Sequence, residues 1–390
     1  MTRRTLLLSG AAVTTLRAAH ESAKESTATG AKVKVGIIGT GHRAWAHIAA
    51  LKSIPDFEIV GLADPTPSFL ERAASLAGPG VPTYSTHQQL FAGQKDLQAV
   101  FVVTPGGLHT QPVSDSLAHG LHVLQEKPMA TSLADANRII EAAEKSGRIL
   151  QVGQQMRSTP IYQKVYELIQ GGEIGSVQFV SGNLFRGDWN PRSWQVPDPQ
   201  TGQPTIWRFL TKYTGSSLLE DGIHEIDVLN WIVGSRVKTV YATGGNNVLK
   251  GRETIDHATV TIEYENGVKV NFGFSLFAPS PGSIGRQMAF LGTNGIITIE
   301  SGHITVRKRG GNAQTVEASA QTPRDQFKGQ VGKDLDVGTY RQAVAFLNSI
   351  RTGARPVCDG QVGREVMSIS LLAEQSLRER RIVHWSDLSA

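Results

Sequence analysis

The stretch that decides the fold runs from Val33 to Ala44 and reads Val-Lys-Val-Gly-Ile-Ile-Gly-Thr-Gly-His-Arg-Ala. Its first half, Val33–Ile38, is short, apolar and rich in β-branched residues, which predicts a buried strand. The second half predicts a phosphate-binding loop, because Gly39 permits a tight turn, Gly41 lets the backbone approach a pyrophosphate and Ala44 lets a helix pack on the strand. The pyrophosphate would lie at the N-terminus of that helix. The predicted cofactor contacts in this loop are Gly39, Thr40, Gly41, His42 and Arg43.

The second predicted strand, residues 57–64, ends in a carboxylate. Asp64 would accept hydrogen bonds from the adenosine ribose hydroxyls and repel a phosphate there, so NAD is favoured over NADP. The residue type alone is equally typical of an Asp that opens the Asp64-Pro65 turn. The phosphate loop upstream favours the ribose role.

Strands and helices continue to alternate up to residue 151. A helix is predicted over 68–77, a buried strand over 99–103 and a further strand over His122–Gln125. This alternation predicts a parallel, doubly wound Rossmann sheet with its ligand at the carboxyl ends of the strands. Thr104 and the tripeptide Glu126-Lys127-Pro128 fall at such ends and should face the nicotinamide half of the cofactor.

The second half of the chain predicts an α+β domain. A helix is predicted over 161–169, and strands over 177–184, His257–Tyr264, 268–276, 288–291, 296–300 and 303–306, before closing helices over 340–352 and 363–381. The alternation of apolar and polar residues predicts a large, open, mostly antiparallel sheet. One face would pack on helices, and the other is available for a homodimer or homotetramer. We therefore divide the chain into residues 1–31, 32–151 and 152–390.

A long segment over residues 185–213 is rich in tryptophan and arginine. Planar apolar faces beside hydrogen-bonding groups are what a pyranose ring needs, and long loops in compact domains are often functional. A loop whose tryptophans merely cover the sheet would have the same composition. The predicted substrate contacts are Arg186, Trp189, Trp207, Arg208 and Tyr213.

The predicted helix over residues 218–233 carries a histidine among carboxylates. At ~100° per residue, one face is apolar and the other holds Glu220, His224, Asp227 and Trp231. The second face has no Lys or Arg, so both faces should be enclosed. His224 is then a candidate base held by carboxylates. A lone helical histidine is also typical of a structural residue, and Ser217-Leu218-Leu219-Glu220 is also typical of a capping box.

These motifs together resemble the oxidoreductase family named for glucose-fructose oxidoreductase, inositol dehydrogenase and a rhizopine-catabolism protein (GFO/IDH/MocA). The resemblance rests on the Gly39-Thr40-Gly41 loop, Asp64, Thr104-Pro105 with His109, Glu126-Lys127-Pro128, Val152-Gly153 with Arg157, and the segment from Gly222 to Asp227. It covers nearly everything after residue 31. It implies cofactor contacts at Thr104, Pro105, His109, Glu126, Lys127 and Arg157.

The resemblance also implies the catalytic pair. The family's equivalent of Lys127 touches the substrate hydroxyl, and the proline after it is often cis. The family commonly has an aspartate four residues before the histidine, whereas this chain has Glu220 there and Asp221 next to it. We therefore take Lys127 and His224 as the catalytic residues, and Asp221 and Glu220 as further candidates whose roles stay open.

Composition limits the remaining possibilities. The chain has 390 residues, a net charge of +5 and one cysteine, Cys358. Its basic runs are short and more typical of solvated faces than of a nucleic-acid site, and no cysteine-based metal site can form. The first residues, Met1-Thr2-Arg3-Arg4 followed by an uncharged run to Leu16, resemble a twin-arginine export signal. We expect a periplasmic or secreted protein with no stable membrane insertion after signal removal, or otherwise a cytoplasmic one.

Three functions remain in competition. The leading hypothesis is an NAD-dependent oxidoreductase acting on a CH–OH group of a sugar or polyol, in which His224 takes the hydroxyl proton and Lys127 stabilises the developing alkoxide. Its cofactor would be tightly bound if the protein is exported. The second is a glycosidase that oxidises a sugar transiently, and the intact Glu126-Lys127-Pro128 favours the first over it. The third is a non-catalytic sensor or binding protein that retains NAD.

Overall fold

The structure is a computed structural model, and it describes residues 31–187, 196–198, 201–278, 285–318 and 336–388. Two large sheets dominate the described ranges, one from each half of the chain. The predicted signal over 1–31 and the predicted substrate residue Trp189 lie outside the described residues, apart from residue 31.

The first sheet is the predicted Rossmann sheet. Its strands are β1 (Val33–Ile38), β2 (Phe57–Ala63), β3 (Thr83–Tyr84), β4 (Ala99–Val102), β5 (His122–Gln125) and β6 (Leu150–Val152). Within the described ranges they form six parallel strands in the order β3-β2-β1-β4-β5-β6. The helices that follow them are α1 (His42–Lys52), α2 (Pro67–Ala77), α3 (His87–Gly93), α4 (Thr110–Ala118) and α5 (Leu133–Ser146). The strand order reverses between β1 and β4, which creates a ligand crevice at their carboxyl ends.

The second sheet is open and mostly antiparallel, as predicted. The later strands are β7 (Val177–Phe185), β8 (Val196–Pro197), β9 (Pro204–Thr205), β10 (Val237–Gly245), β11 (His257–Tyr264), β12 (Lys269–Ser275), β13 (Gly285–Gly292), β14 (Gly295–Glu300), β15 (His303–Lys308), β16 (Ala313–Val316) and β17 (Val383–His384). Nine of them, in the described part of the chain, follow the order β16-β15-β14-β13-β7-β12-β11-β10-β17. Only β7 and β12 pair in parallel among these neighbours. β8 and β9 form a separate small sheet.

The period of two in β12 explains how the large sheet is covered. Val270, Phe272 and Phe274 are buried, whereas Lys269 and Asn271 on the other face are exposed. The buried face packs on helices, because burial of these side chains is the main favourable contribution to folding. The remaining helices are α6 (Pro160–Gln170), α7 (Thr211–Thr214), α8 (Ile223–Val233), α9 (Val337–Thr352) and α10 (Gly360–Glu379).

Helix α9 comes from the end of the chain but packs into the core of the first sheet. Ala343, Phe346 and Leu347 are buried there together with Val35 and other residues of β1, β4 and α1. The ring centroids of Phe346 and Phe101 are 5.6 Å apart. The division of the chain at residue 151 stays a prediction, but the core of the first sheet draws on residues well beyond it.

The helix predicted over 218–233 is divided in two. Leu218–Gly222 forms a π-helical turn, and α8 follows it. The capping-box interpretation is wrong, because Ser217 Oγ donates to the Ile255 carbonyl at 2.6 Å and makes no hydrogen bond to the start of the helix. Ser216 Oγ accepts from the Leu219 N–H instead, at 3.0 Å. The wider turn changes the direction of the residues before Ile223, so a single helical wheel does not describe them.

Candidate active site

The phosphate loop lies between β1 and α1, as predicted. Gly39 has φ +87°, and a Cβ atom there would lie 2.7 Å from the Thr104 backbone nitrogen, so only glycine is accommodated. The Thr40 N–H donates to Asp64 Oδ2 at 2.7 Å, and the Thr66 N–H donates to Asp64 Oδ1 at 2.8 Å. Asp64, which directly follows β2, therefore fixes the loop.

The loop and the strand ends fit a dinucleotide. The hydroxyls of Thr40 and Thr104 are buried and have no hydrogen-bond partner among the described residues. Helix α1 begins after Gly41, which has no side chain to cap its first N–H groups. Buried hydroxyls and open N–H groups around the crevice are the groups that a pyrophosphate and its riboses would use. The loop from Gly39 to Arg43, with Asp64 and Thr104, would hold the cofactor.

His109 connects two strand ends beside this crevice. Its ring nitrogens lie 2.7 Å from the Thr104 carbonyl oxygen and 2.8 Å from the Pro128 carbonyl oxygen. Burial lowers the pKa of His109. Pro105 precedes the short turn Gly106–Leu108 that leads to this histidine. The structure thus gives His109 backbone partners, and its contact with the cofactor, like that of Pro105, stays a prediction.

Glu126 is the centre of a buried polar network. Its Oε1 accepts from Arg43 Nε at 2.6 Å and from His47 Nε2 at 2.8 Å, and its Oε2 accepts from the Lys127 N–H at 3.1 Å. Burial would raise the pKa of Glu126, but Arg43 and the hydrogen bond from His47 hold it well below its usual range. Arg43 Nη2 also donates to Thr339 Oγ1 at 2.9 Å. An ionised Glu126 thus orders the loop, the strand end and α9 together.

Lys127 is held in one position by Glu220. Its Nζ donates to the Glu220 carbonyl oxygen at 2.6 Å and lies 3.2 Å from the Glu220 carboxylate. The Lys127-Pro128 peptide bond is cis. The Lys127 side chain is 13% exposed and that of Glu220 is 3% exposed. The π-helical turn therefore supplies both a main-chain and a side-chain oxygen to the candidate catalytic cation.

His224 lies four residues after Glu220, at the start of α8. The residue is partly accessible, but its Nδ1 is buried and has no hydrogen-bond partner in the described ranges. Burial and the nearby charges of Lys127 and Arg286 lower the pKa of His224 well below its usual value. The imidazole is therefore neutral at neutral pH and has a nitrogen available to take a proton.

The expectation that carboxylates hold His224 is wrong for the described residues. Glu220 binds Lys127, Asp227 binds Arg157, and Glu225 pairs with Arg286. Each carboxylate near the histidine is thus occupied by a cation, because burial of a carboxylate is costly without a partner. The orienting role that we left open between Glu220 and Asp221 is not filled by a contact to the ring.

Asp221 is surrounded by arginines. Its Oδ1 lies 3.5 Å from Arg186 Nη1 and 3.5 Å from Arg208 Nη1, and its Oδ2 lies 3.9 Å from Arg252 Nη2. Arg208 Nη1 also lies 3.3 Å from Glu220 Oε1. The predicted substrate residues Arg186 and Arg208 are therefore brought together with the predicted catalytic residues Lys127, Glu220 and Asp221.

Arg157 has a structural partner. Its Nε lies 2.9 Å from each carboxylate oxygen of Asp227, and its Nη2 donates to Oδ1 at 2.6 Å. The guanidinium also lies 5.6 Å from the ring centroid of Trp231. This buried pair ties the turn Gln155–Ser158 to α8, and the predicted contact of Arg157 with the cofactor stays a prediction.

The other aromatic candidates have different surroundings. Trp207 is partly exposed, and the Arg208 guanidinium lies 4.9 Å from its ring centroid. Tyr213 is completely buried, with Lys212 Nζ 4.6 Å from its ring centroid. A side chain with no accessible surface in this conformation packs beneath the site, so a direct substrate contact of Tyr213 is not supported.

Three residues of the site were missed in the sequence. His47, Arg252 and Arg286 contact Glu126, Asp221 and Glu225. The partners are far apart in the chain, and none of the three belongs to a short motif. Only His47 carried a usable signal, since a histidine on the buried face of α1 needs a polar partner.

No metal site or membrane span was found in the part of the chain that the structure describes. No cluster of three or more His, Cys, Asp or Glu side chains there could hold a metal ion. Among the same residues, no helix combines the length and apolar character that crossing a bilayer requires.

Comparison with known proteins agrees with this geometry. The model of the oxidoreductase family, NAD-binding Rossmann fold (GFO_IDH_MocA) matches residues 33–154, and that of the GFO/IDH/MocA C-terminal domain matches residues 162–298. A myo-inositol 2-dehydrogenase of Thermotoga maritima is 23% identical over 90% of this chain and 98% of its own length.

Solved structures share the fold. An oxidoreductase domain protein from Kribbella flavida has a TM-score of 0.79 at 22% identity, over 91% of this chain and 99% of its own. A scyllo-inositol dehydrogenase from Lactobacillus casei, solved with NAD(H) and scyllo-inositol, has a TM-score of 0.72 at 20% identity, over 91% of this chain and 100% of its own. With both halves matched by models of one family, the chain belongs to the GFO/IDH/MocA family of NAD(P)-dependent oxidoreductases.

Proposed function

We propose that this protein oxidises a CH–OH group of a sugar or polyol, with Lys127 and His224 as the catalytic residues. The observation that carries the proposal is a fixed cation, Lys127 beyond the end of β5, near a neutral imidazole, His224 at the start of α8. Lys127 is held by two oxygens of Glu220, and burial together with the charge of Lys127 keeps the pKa of His224 low. The inositol dehydrogenases among the similar proteins support the substrate class.

The residues have distinct tasks in this reaction. His224 accepts the proton of the substrate hydroxyl at a ring nitrogen, which a neutral imidazole can do at neutral pH. The Lys127 ammonium binds the same oxygen and stabilises the negative charge that develops on it. Glu220 keeps the ammonium in place through its carbonyl and carboxylate oxygens. When bound in the crevice, the nicotinamide supplies the hydride acceptor.

We propose NAD as the cofactor. Asp64 directly follows β2, with its carboxylate at the loop, where it would accept from the ribose hydroxyls and disfavour the extra phosphate of NADP. We also propose that the twin-arginine segment directs export of the folded protein, so that the cofactor is loaded inside the cell and retained. Fractionation of cells that express the full chain and an Arg3→Lys/Arg4→Lys variant tests this, since export would require both arginines.

The test of the activity uses the purified full chain without added cofactor. Absorbance near ~340 nm is followed while sugars, inositols and aryl glycosides are added, and released aglycone is assayed in parallel. Reduction of bound NAD without aglycone release supports the proposal. Lys127→Met and His224→Asn should each lower kcat by about 10²–10⁴-fold, the usual contribution of acid–base groups, with little change in NAD affinity.

Other outcomes identify the competing functions. Aglycone release without lasting reduction of NAD would mean a redox-assisted glycosidase on the same fold. Binding of NAD with no response to any sugar or polyol would favour a sensor.

Val248→Ala is the control substitution for the catalytic variants, because Val248 is an exposed residue outside the described cofactor and catalytic contacts.

A further inference from the structure

The arginines around Asp221 form a cluster that the proposed reaction does not require. We define the cation cluster as Lys127, Arg186, Arg208 and Arg252 with the two carboxylates that they contact, Glu220 and Asp221. A neutral polyol needs one cation near its reacting hydroxyl. Three guanidiniums converging beside that position call for a further explanation.

The exposed atoms of the cluster belong to its cations. The side chains of Lys127, Arg208 and Arg186 are 13%, 19% and 41% exposed. The two carboxylates lie beneath these cations: the side chain of Glu220 is 3% exposed and that of Asp221 is 1% exposed. The side chain of Arg252 is fully buried. A ligand that enters therefore meets positive groups, while the negative charges hold those groups from behind.

The contacts inside the cluster are loose. The arginine nitrogens lie 3.3 to 3.9 Å from the oxygens of Glu220 and Asp221, whereas charge-assisted hydrogen bonds measure about 2.7–2.9 Å. The Arg157–Asp227 pair in the same molecule has that shorter geometry, with two nitrogens engaged. The contacts of the guanidiniums with Glu220 and Asp221 are thus longer than those of a closed bidentate pair.

Two further features favour a ligand role for Arg208. Its guanidinium lies 4.9 Å from the ring centroid of Trp207, a cation–π contact that stabilises the charged group beside the ring. Its Nη1 approaches the same Glu220 oxygen that binds Lys127, so it borders the reacting position. Burial and the charge of Arg208 lower the pKa values of Arg186 and Arg252, although Asp221 acts in the opposite direction. Arg186 and Arg208 have other interactions too.

We propose that the substrate of this site is an anionic sugar, whose carboxylate or phosphate group is bound by Arg208 and Arg186 while Lys127 and His224 act on a hydroxyl. This inference rests on the proposed function and names the substrate class for it. A planar guanidinium matches the two oxygens of either group, which a lysine would not do equally well. The buried Glu220 and Asp221 then keep the arginines apart and correctly placed.

The test compares each acid with its neutral parent, using the holoprotein. With excess NAD present so that the enzyme turns over, NADH formation is followed with glucose, glucuronate and glucose 6-phosphate, and with galactose and galacturonate, and kcat/KM is determined for each. We expect an anionic sugar to exceed its neutral parent by about 10- to 100-fold, the effect of one hydrogen-bonded charge. Its KM should rise with salt, whereas that of the neutral sugar should not. The glucuronate and glucose 6-phosphate arms separate carboxylate from phosphate.

The variants are Arg208→Gln and the more exposed Arg186→Gln, with Arg309→Gln as a control on a distant turn. The first two should reduce the preference for the anionic sugar to near one, because kcat/KM should fall far more for the anionic sugar than for its neutral parent, while the Kd for NAD stays the same. Arg208→Lys should recover only part of it. If Arg208→Gln does not fold, Arg186→Gln and the salt dependence still decide the question.

Three results would contradict either the inference or the proposed function on which it rests, and they can be told apart. If kcat/KM is the same for a neutral sugar and for its acid, the inference is wrong and the proposed function stays intact. Loss of NAD affinity in Arg208→Gln would assign the arginine to the cofactor instead. If no sugar reduces NAD, the proposed function is wrong. Calorimetry with glucuronate and glucose 6-phosphate then decides whether an arginine-dependent anion site exists. If neither compound binds, the inference is wrong as well.

Discussion

At the scale of single residues, the environment of His224 sets the pH dependence of the reaction. Burial and the charges of Lys127 and Arg286 lower its pKa well below the ordinary value of 6.5. The base form is needed, so kcat/KM should stay constant through neutral pH and fall only at a pH well below 6.5. Steady-state rates across pH measure this directly. An acid limb centred at or above the ordinary value would contradict the assignment of His224.

Lys127 should be visible in the titration of His224. Lys127→Met removes the positive charge that helps to lower the pKa of His224, while the burial of the ring remains. The pKa of His224 should therefore rise but stay below its ordinary value. Imidazole NMR of the apo variant measures it without needing activity. An unchanged titration would show that the ammonium does not act on the ring.

The lowered pKa of His224 also makes the stability of the protein depend on pH. Because the folded-state pKa of His224 lies below the unfolded value, the unfolded chain binds more protons at acid pH. The free energy of unfolding should therefore decrease as the pH falls below 6.5, and His224→Gln should weaken that dependence in urea unfolding.

At the scale of elements, the buried pair of Arg157 and Asp227 should stabilise the junction between the turn Gln155–Ser158 and α8. The side chains are 7% and 0% exposed. Arg157→Met leaves a buried carboxylate without its partner, which should cost about 3–5 kcal/mol. Arg157→Met/Asp227→Leu should recover most of that loss in urea unfolding.

A matched exposed pair provides the control for this prediction. Arg381 and Asp387 also lie within ion-pair distance, but their side chains are 48% and 26% exposed. Arg381→Met should cost less than about 1 kcal/mol, since such pairs contribute little. Equal losses in the single and double variants at Arg157 would mean that packing, and not charge, holds the junction.

A second element-scale prediction concerns the turn Gly106–Leu108. A Cβ atom at Gly107 would lie 2.1 Å from the Lys212 carbonyl oxygen in α7. Gly107→Ala should therefore destabilise the protein by about 1–3 kcal/mol through overpacking, measured as a lower Tm. Gly311→Ala, where the nearest atom would be 3.5 Å away, should have little effect. Equal Tm values for both variants would contradict the close approach.

The elements also show what the sequence could predict. β5 and the predicted strand over His257–Tyr264 have the expected bounds, because their apolar patterns are local and unbroken. β10 was missed, although its alternating burial left a readable pattern. The π-helical turn could not be expected, since its surroundings include contacts distant in sequence: Glu220 contacts Lys127, and Ser217 beside the turn contacts Thr254 and Ile255. The partners of Asp221 were missed for the same reason, as Arg186 and Arg252 come from separate loops.

At the scale of the whole molecule, the outer face of the large sheet should mediate self-association. Phe179 and Leu291 pair across β7 and β13 and are 39% and 38% exposed, and Tyr241 on the same sheet is 41% exposed. Exposed apolar side chains on a flat face are typical of an interface. Light scattering should give a mass two or four times 42.1 kDa.

Charged substitutions test that interface. Phe179→Asp/Leu291→Asp should lower the measured mass towards that of the monomer. Val248→Asp is the control, because Val248 is 52% exposed but lies in a loop outside the sheet. A wild-type monomer, or an oligomer unaffected by the double substitution, would contradict the assignment of this face.

Helix α9 has a consequence for how the protein is made in the cell. Phe346 and its neighbours complete the core around β1 and β4, although the ribosome adds them nearly 250 residues after Phe101. The core of the nucleotide-binding half is therefore incomplete until α9, which is synthesised much later, packs against it. Arg43 also gains its contact with Thr339 only then. We therefore expect the crevice to bind its cofactor only after α9 has been synthesised and has packed against the first sheet.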